Sequence, residues 1–241
     1  PDGVNINEKC GSTHMDSLAA MVKAGGYDIG IAFDGDADRC LAVDELGSLI
    51  DGDQIMAACG LDMMNKGQLP GGTVVATVMS NLGFHVYAKE HGIELECTDV
   101  GDRNVLERMV EKGYRLGGEQ SGHMIFLEHA TTGDGQLTAL KILALLKESG
   151  KKASQVFSAC PRYPQVLINI PVADNDVKKA AMASPLLAQA VQREEDALAG
   201  EGRVLVRPSG TEALMRVMVE AKTQQTAQET AQRLADLIPE L

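Results

Sequence analysis

Between residues 73 and 148, short apolar runs alternate with stretches of helical periodicity. That alternation constrains the fold more than any other feature of the chain. Residues 73–78, 94–98, 114–116 and 123–127 are strand-length runs, while 83–91, 102–112 and the stretch from Asp134 to about Glu148 carry the helical pattern. Thr131, Thr132, Gly133 and Asp134 supply the cap of the last helix. Strands that alternate with helices predict a parallel or mixed sheet covered by helices, an α/β/α arrangement.

The flanks read differently. Residues 27–33 form an apolar run bounded by Gly25-Gly26 and an acidic loop, which predicts a buried strand. Residues 40–43 predict a second strand and 45–48 a turn. Asp51, with Gln54 three residues on, is a capping signal for a helix that fades near Lys66-Gly67. The polar Pro/Gly joint at 68–72 then marks a boundary. After Cys160-Pro161 and Tyr163-Pro164 come a strand at 165–170, helix over 176–198 with a break near Ser184-Pro185, strands at 203–206 and 214–220, and an amphipathic helix at 224–237. This is the pattern of a small α+β domain. The expected division is 1–68, 69–162 and 163–241.

Composition narrows the partners. A net charge of −12 disfavours nucleic acid, so any anionic ligand must meet a local concentration of basic residues. No apolar run approaches the roughly 18 residues of a membrane span. Five cysteines without a C-x-x-C pattern read as reduced thiols, mostly small core residues, in a cytoplasmic protein. The chain starts at Pro1 with no signal-like stretch, which is expected of an internal piece of a longer polypeptide.

Three loops carry chemistry. In "IAFDGDADR", residues 31–39, Asp34, Asp36 and Asp38 alternate and Arg39 follows at once. A solvated turn would use the same residues. Here the loop follows a strand directly, and ligands of α/β sheets bind at strand ends. An EF-hand loop is excluded, because its sixth position needs Gly and holds Arg39, and the flanks read as strands. Hard carboxylate oxygens suit Mg²⁺, and Arg39 beside them suits a phosphoryl group as the missing ligand. In "GGEQSGH", residues 117–123, Glu119, Ser121 and His123 alternate and are expected to face one side, where carboxylate and hydroxyl suit sugar hydroxyls. A hydrogen-bonded turn is the alternative. In "RPSGTEALMR", residues 207–216, Arg207 supplies a fork of donors, Ser209 and Thr211 hydroxyls, Gly210 an approachable backbone, and Arg216 a second cation. This reads as a phosphate clamp or, alternatively, a surface turn with a Pro corner. It is not a Walker A loop, since no G-K-[ST] is present.

Together the three loops resemble those of the α-D-phosphohexomutases. "NINEKCGSTH" (5–14), "DGDQIM" (51–56), "VMSN" (78–81), "VGDR" (100–103) and "TTGDG" (131–135) match in the same order, so the resemblance covers nearly the whole chain. "VMSN", "VGDR" and "TTGDG" look like the branch acting on glucosamine phosphates. Met79 stands where relatives commonly have Lys, Ala213 where Pro is frequent and Asn104 where Tyr is frequent.

The resemblance implies α/β/α mixed-sheet domains followed by the small α+β domain. It implies Mg²⁺ on Asp34, Asp36 and Asp38, with Arg39 at a phosphoserine and His123 near the reacting oxygen. Glu119 and Ser121 would bind sugar hydroxyls, and Gly101, Asp102 and Arg103 would line the sugar site. Arg207, Ser209, Gly210, Thr211 and Arg216 would hold the phosphate that is not transferred. The activity implied is interconversion of glucosamine 6-phosphate and glucosamine 1-phosphate through a bisphosphate. A glucose or mannose phosphate mutase and a non-catalytic sugar-phosphate binder are the alternatives. Members often form dimers. The family's nucleophile run, T-A-S-H-N-P-like, does not occur in these 241 residues, so no turnover is expected of them alone.

Overall fold

The structure, a computed structural model, describes residues 3–210 and 212–238, and the chain divides into two compact units, Pro1–Pro161 and Arg162–Leu241. Thr211 lies outside the described residues.

The first unit opens with helix α1 (Asp16–Gly25), then strands β1 (Ile29–Phe33), β2 (Cys40–Asp44) and β3 (Leu49–Ile50), which form an antiparallel sheet in the order β1-β2-β3. β2 is buried throughout, whereas β1 buries only Gly30. The buried strand expected at 27–33 is therefore a half-buried one. It pairs only with β2 and lies at the outside of the described sheet. Helix α2 (Gly52–Asn65) begins with the capping box expected, in which the Asp51 side chain accepts from Gln54 N and Gln54 Oε1 accepts from Asp51 N.

The second sheet has the order β5-β4-β6-β7, made of β4 (Thr73–Thr77), β5 (Glu94–Thr98), β6 (Leu116–Gly118) and β7 (Met124–Phe126). β4 runs parallel to β5 and β6, while β6 and β7 are antiparallel, so the sheet is mixed as expected. Helices α3 (Leu82–His91), α4 (Asp102–Lys112), α5 (Gly135–Ser149) and α6 (Ala153–Phe157) complete the unit. Val74, Ala76, Leu116 and Met124 join Ile55, Met56, Phe84, Ile142 and Phe157 in one core. Val75 and Ile125 point the other way, against Val105 and Met109 of α4. A strand such as β4, buried on both faces, has to be apolar throughout, which is why "TVVAT" reads as a continuous run.

One strand is shifted. β6 was expected at 114–116, with 117–122 as loop, yet Gly117 and Gly118 belong to the strand. The reason is space. A Cβ on Gly117 would lie 2.6 Å from Met109 Sδ and 3.0 Å from Val105 Cγ1, and one on Gly118 would lie 2.5 Å from His123 O. Glycine here marks close approach and not a turn.

The second unit is an antiparallel sheet, order β8-β10-β9, built from β8 (Gln165–Pro171), β9 (Gly202–Pro208) and β10 (Leu214–Ala221). Helices α7 (Asn175–Ala183), α8 (Pro185–Leu198) and α9 (Gln224–Leu237) bury Ala181, Leu187, Ala190, Ala227, Ala231 and Leu234 against Met215, Val217 and Val219. Pro185 at the start of α8 produces the break read from the sequence.

In this unit α8 and α9 are joined by a two-point ion pair, Arg233 Nε to Glu194 Oε1 at 3.0 Å and Nη2 to Oε2 at 2.7 Å. The guanidinium's bonds outweigh burial and hold Glu194 below the usual carboxylate range. Because the folded value is depressed, the stability it contributes is complete above the unfolded pKa of about 4.3 and is lost as pH falls through the folded value. Thermal melts from pH 7 down to pH 3 are expected to fall less steeply in Glu194→Gln than in the parent chain.

Cys40, Cys59 and Cys160 are buried, Cys97 is half-buried and Cys10 is exposed. Burial pushes the Cys40 and Cys59 thiols up to about 12, which leaves them unreactive core groups. Among the described residues, no helix is long and apolar enough to cross a membrane.

Candidate active site

The acidic loop leaves β1 and returns in β2. Arg39 N donates to Asp34 Oδ1 at 3.1 Å, and Ala37 takes a positive φ of 60° that turns the chain back within five residues. The result brings one oxygen each of Asp34, Asp36 and Asp38 within 4.8 Å of one another. Asp34 and Asp38 are half-buried and Asp36 is exposed.

These carboxylates are unequal. Burial works to raise Asp34, but the Arg39 N–H, a bond to Asp38 and the Arg39 guanidinium 3.7 Å away outweigh it, and Asp34 is held low. Burial raises Asp38, and its bond to Asp34 and repulsion from Asp34 and Asp36 raise it further. Asp38 Oδ1 is buried with no hydrogen-bond partner. Three converging carboxylates, one of which keeps a buried oxygen without a partner, fit a small divalent cation.

The hairpin between β6 and β7 lies against this loop. An isolated β-bridge pairs Arg39 with His123, and Cys40 N donates to Gly122 O at 3.0 Å. The His123 ring is buried, with Nε2 3.5 Å from Asp38 Oδ2. The alternation expected over 119–123 is not there, because Gly122 N bonds back to Glu119 O at 3.0 Å and closes a tight turn. Glu119 is half-buried, Ser121 exposed and His123 buried. Glu119 Oε1 instead accepts from Gly101 N at 3.2 Å, which ties the 101–103 segment to the hairpin. Gly101 has φ 128°, a conformation closed to side-chain-bearing residues, and opens α4. Asp102 Oδ1 accepts from Arg103 N at 2.8 Å, and the exposed Arg103 pairs with Glu107 of its own helix at 2.7 Å.

Three glycines, one of them in the expected cap of α5, hold these loops together by close approach. Gly135 N donates to Ala37 O at 2.9 Å, and a Cβ on Gly135 would lie 2.6 Å from Arg39 O. A Cβ on Gly133 would lie 2.3 Å from His123 Nε2 and 2.8 Å from Asp38 O. Gly52 N donates to Gln120 O, and its Cβ would lie 2.1 Å from Glu119 O. In the sequence these glycines stand in "DGDQIM" and "TTGDG", each at a helix start. Gly133→Ala is expected to cost about 1–3 kcal/mol in a denaturant melt and to shift the His123 ring resonances.

In the second unit, β9 and β10 pair so that Arg207 sits directly opposite Arg216. Met215, Val217 and Val219 point to the helices, so these two arginines project from the opposite face. Like charges in that register destabilise a strand pair unless something negative lies between them. Arg216 Nη2 meets Glu212 at 2.8 Å, while its buried Nε has no hydrogen-bond partner. Ser209 is buried, its Oγ accepting from Glu212 N, and Gly210 is exposed. Lys178 of α7, which no motif marks in the sequence, is buried and donates to Ser209 O and Glu212 O.

Comparison with known proteins supports one relationship. The phosphoglucomutase/phosphomannomutase family models match as alpha/beta/alpha domain II over 4–47, alpha/beta/alpha domain III over 51–163 and C-terminal domain over 167–237. Phosphoglucosamine mutase of Saccharopolyspora erythraea is 54% identical over 238 residues, covering 99% of this chain and 53% of that protein. The enzyme of the same name from Ruminiclostridium cellulolyticum is 55% identical over 238 residues, with the same coverage. The chain therefore spans about half the length of the curated relatives it matches. Among solved structures, Aspergillus fumigatus N-acetylphosphoglucosamine mutase in complex with GlcNAc-6P and magnesium superposes with a TM-score of 0.76 at 24% identity, over 96% of this chain and 53% of that one. A Burkholderia thailandensis phosphoglucomutase/phosphomannomutase family protein gives 0.76 at 20% identity, over 95% and 50%. These two likenesses show the shared fold. With the three domain models following one another from residue 4 to residue 237, the chain belongs to the phosphoglucomutase/phosphomannomutase family.

Proposed function

We propose that this chain is the part of a phosphoglucosamine mutase that carries the metal, sugar and phosphate loops. Its segments 1–68, 69–162 and 163–241 would each contribute one of them. The whole enzyme would interconvert glucosamine 6-phosphate and glucosamine 1-phosphate. The observation that carries this reading is the Arg39–His123 bridge, which sets the carboxylate cluster and the Glu119 hairpin side by side. Relatives that bear this name at 54% and 55% identity support the choice of sugar.

In this reading Asp34, Asp36 and Asp38 hold Mg²⁺, which supplies charge neutralisation for a phosphoryl group on a serine outside these residues. The remaining roles fall to the chain's own side chains. Arg39 contacts the phosphoryl oxygens, and His123 handles the proton of the attacking sugar hydroxyl. Glu119 and Ser121 bind sugar hydroxyls, and the 101–103 segment closes the sugar site. Arg207, Ser209, Gly210, Thr211 and Arg216 hold the phosphate that is not being transferred. Transfer from serine to one hydroxyl gives a bisphosphate, and return of the other phosphoryl to serine completes the exchange.

The 241 residues alone are expected to show no turnover in a coupled assay. A chain extended upstream to include the serine loop is expected to give Mg²⁺-dependent conversion of glucosamine 6-phosphate. Side-by-side kcat/KM on glucosamine, glucose and mannose phosphates decides the sugar, and a preference for mannose would overturn the assignment. We place the protein in the cytoplasm, with a small sugar phosphate as its partner and no nucleic acid or membrane.

A further inference from the structure

We propose that Lys178 is a positioning residue that holds the 209–212 loop in its anion-accepting form; this rests on reading that loop as the phosphate site. Lys178 belongs to α7, more than 30 residues from the loop in sequence, and is 6% exposed. Its ammonium donates to Ser209 O at 2.9 Å and to Glu212 O at 2.5 Å, so one cation joins both ends of the loop. A buried ammonium is tolerable only when partnered, and charge-assisted bonds of this kind are the strong ones.

Peptide geometry gives the contact a consequence. A trans peptide is planar, with its C=O and N–H pointing in opposite directions. Drawing the Ser209 carbonyl toward Lys178 therefore turns the Gly210 N–H away from it. In the same way, drawing the Glu212 carbonyl in turns the Ala213 N–H out. Gly210 is exposed, and nothing lies within 4 Å of the position its Cβ would take, so an anion can approach that N–H. The loop's inner groups are already engaged, Ser209 N with Leu214 O at 2.9 Å and Glu212 N with Ser209 Oγ at 3.2 Å. Lys178 thus sets which backbone groups face inward and which are presented, and it adds a positive charge behind the loop in a chain of net charge −12. Its neighbour Lys179 is exposed and pairs with Asp176, so it cannot substitute.

The test is titration of the 241-residue chain with inorganic phosphate, read from the amide shifts of Gly210 and Ala213 and by amide exchange. Lys178→Met is expected to weaken phosphate binding by about tenfold, and Lys178→Arg to restore most of it. Exchange should speed up at Glu212 and Leu214 while Val217 and Val219 stay protected. Unchanged phosphate affinity in Lys178→Met would overturn the proposal. So would faster exchange throughout β10, which would make Lys178 merely structural. Should Lys178→Met not fold, Lys178→Gln takes its place. It keeps donors but not charge, and is expected to bind more weakly than the parent, with equal binding overturning the proposal. If the parent chain itself binds no phosphate, the reading of the loop fails, and this inference with it.

Discussion

On the proposed reading of Asp38 as a magnesium ligand, Asp38→Asn in a chain that includes the serine loop is expected to lower turnover by about three orders of magnitude, because a divalent ion contributes several kcal/mol of charge stabilisation in phosphoryl transfer. The same substitution is expected to raise the melting temperature of the metal-free protein. The two effects have one cause. Asp38 has a raised folded pKa, so the stability tied to its protonated form is complete below the unfolded value of about 3.9 and is lost as pH rises through the folded value. At neutral pH its charge repels Asp34 and Asp36. Asparagine has the shape of the protonated acid, keeps a bond to Asp34 and removes the repulsion, but is a poorer metal ligand. Calorimetric titration with magnesium and thermal melts with and without it measure both halves. A variant with lower turnover and lower metal-free stability would mean that the carboxylates are structural and not a cation site.

The second large effect is on stability. Glu220 of β10 is fully buried and accepts from Arg203 Nε and Gln165 Nε2, each at 2.7 Å. The three residues lie side by side across β9, β10 and β8, since the register pairs Glu220 with both Arg203 and Gln165. Removing one partner of a buried ion pair leaves the other charge uncompensated. Arg203→Met is therefore expected to cost about 3–5 kcal/mol in denaturant unfolding of the second unit. Arg203→Met combined with Glu220→Leu is expected to recover most of that loss, because a buried pair replaced by apolar residues is often near neutral. A double variant as unstable as the single one would place the cost in lost packing instead.

Much of this was legible in the sequence. The alternation over 73–148 fixes an α/β/α sheet because strands and helices bury their apolar faces at different periods, and that difference is written locally. The same holds for the Asp51–Gln54 cap of α2, the Asp134 cap of α5 and the Pro185 break, each a signal within four residues. Helix α1 is ten residues long and buries only Val22, leaving Met21 exposed, so its apolar residues do not report one buried face. The short β3 and α6 are defined by their neighbours more than by their own residues.

The acidic triplet and Arg39 could be picked out as a candidate cation and phosphoryl site because like charges at that spacing demand a counter-ion, a local fact. Tertiary structure alone decided what stands around them. That Gly133 makes room for the His123 ring, that Glu119 spends an oxygen on Gly101 N, that Arg216 faces Arg207 and that Lys178 joins both ends of a distant loop are contacts between residues nine or more positions apart, beyond the reach of local periodicity. Side-chain chemistry is carried by the residue itself, whereas close approach is a property of two surfaces. A glycine needed for space looks, in sequence, the same as a glycine needed for a turn.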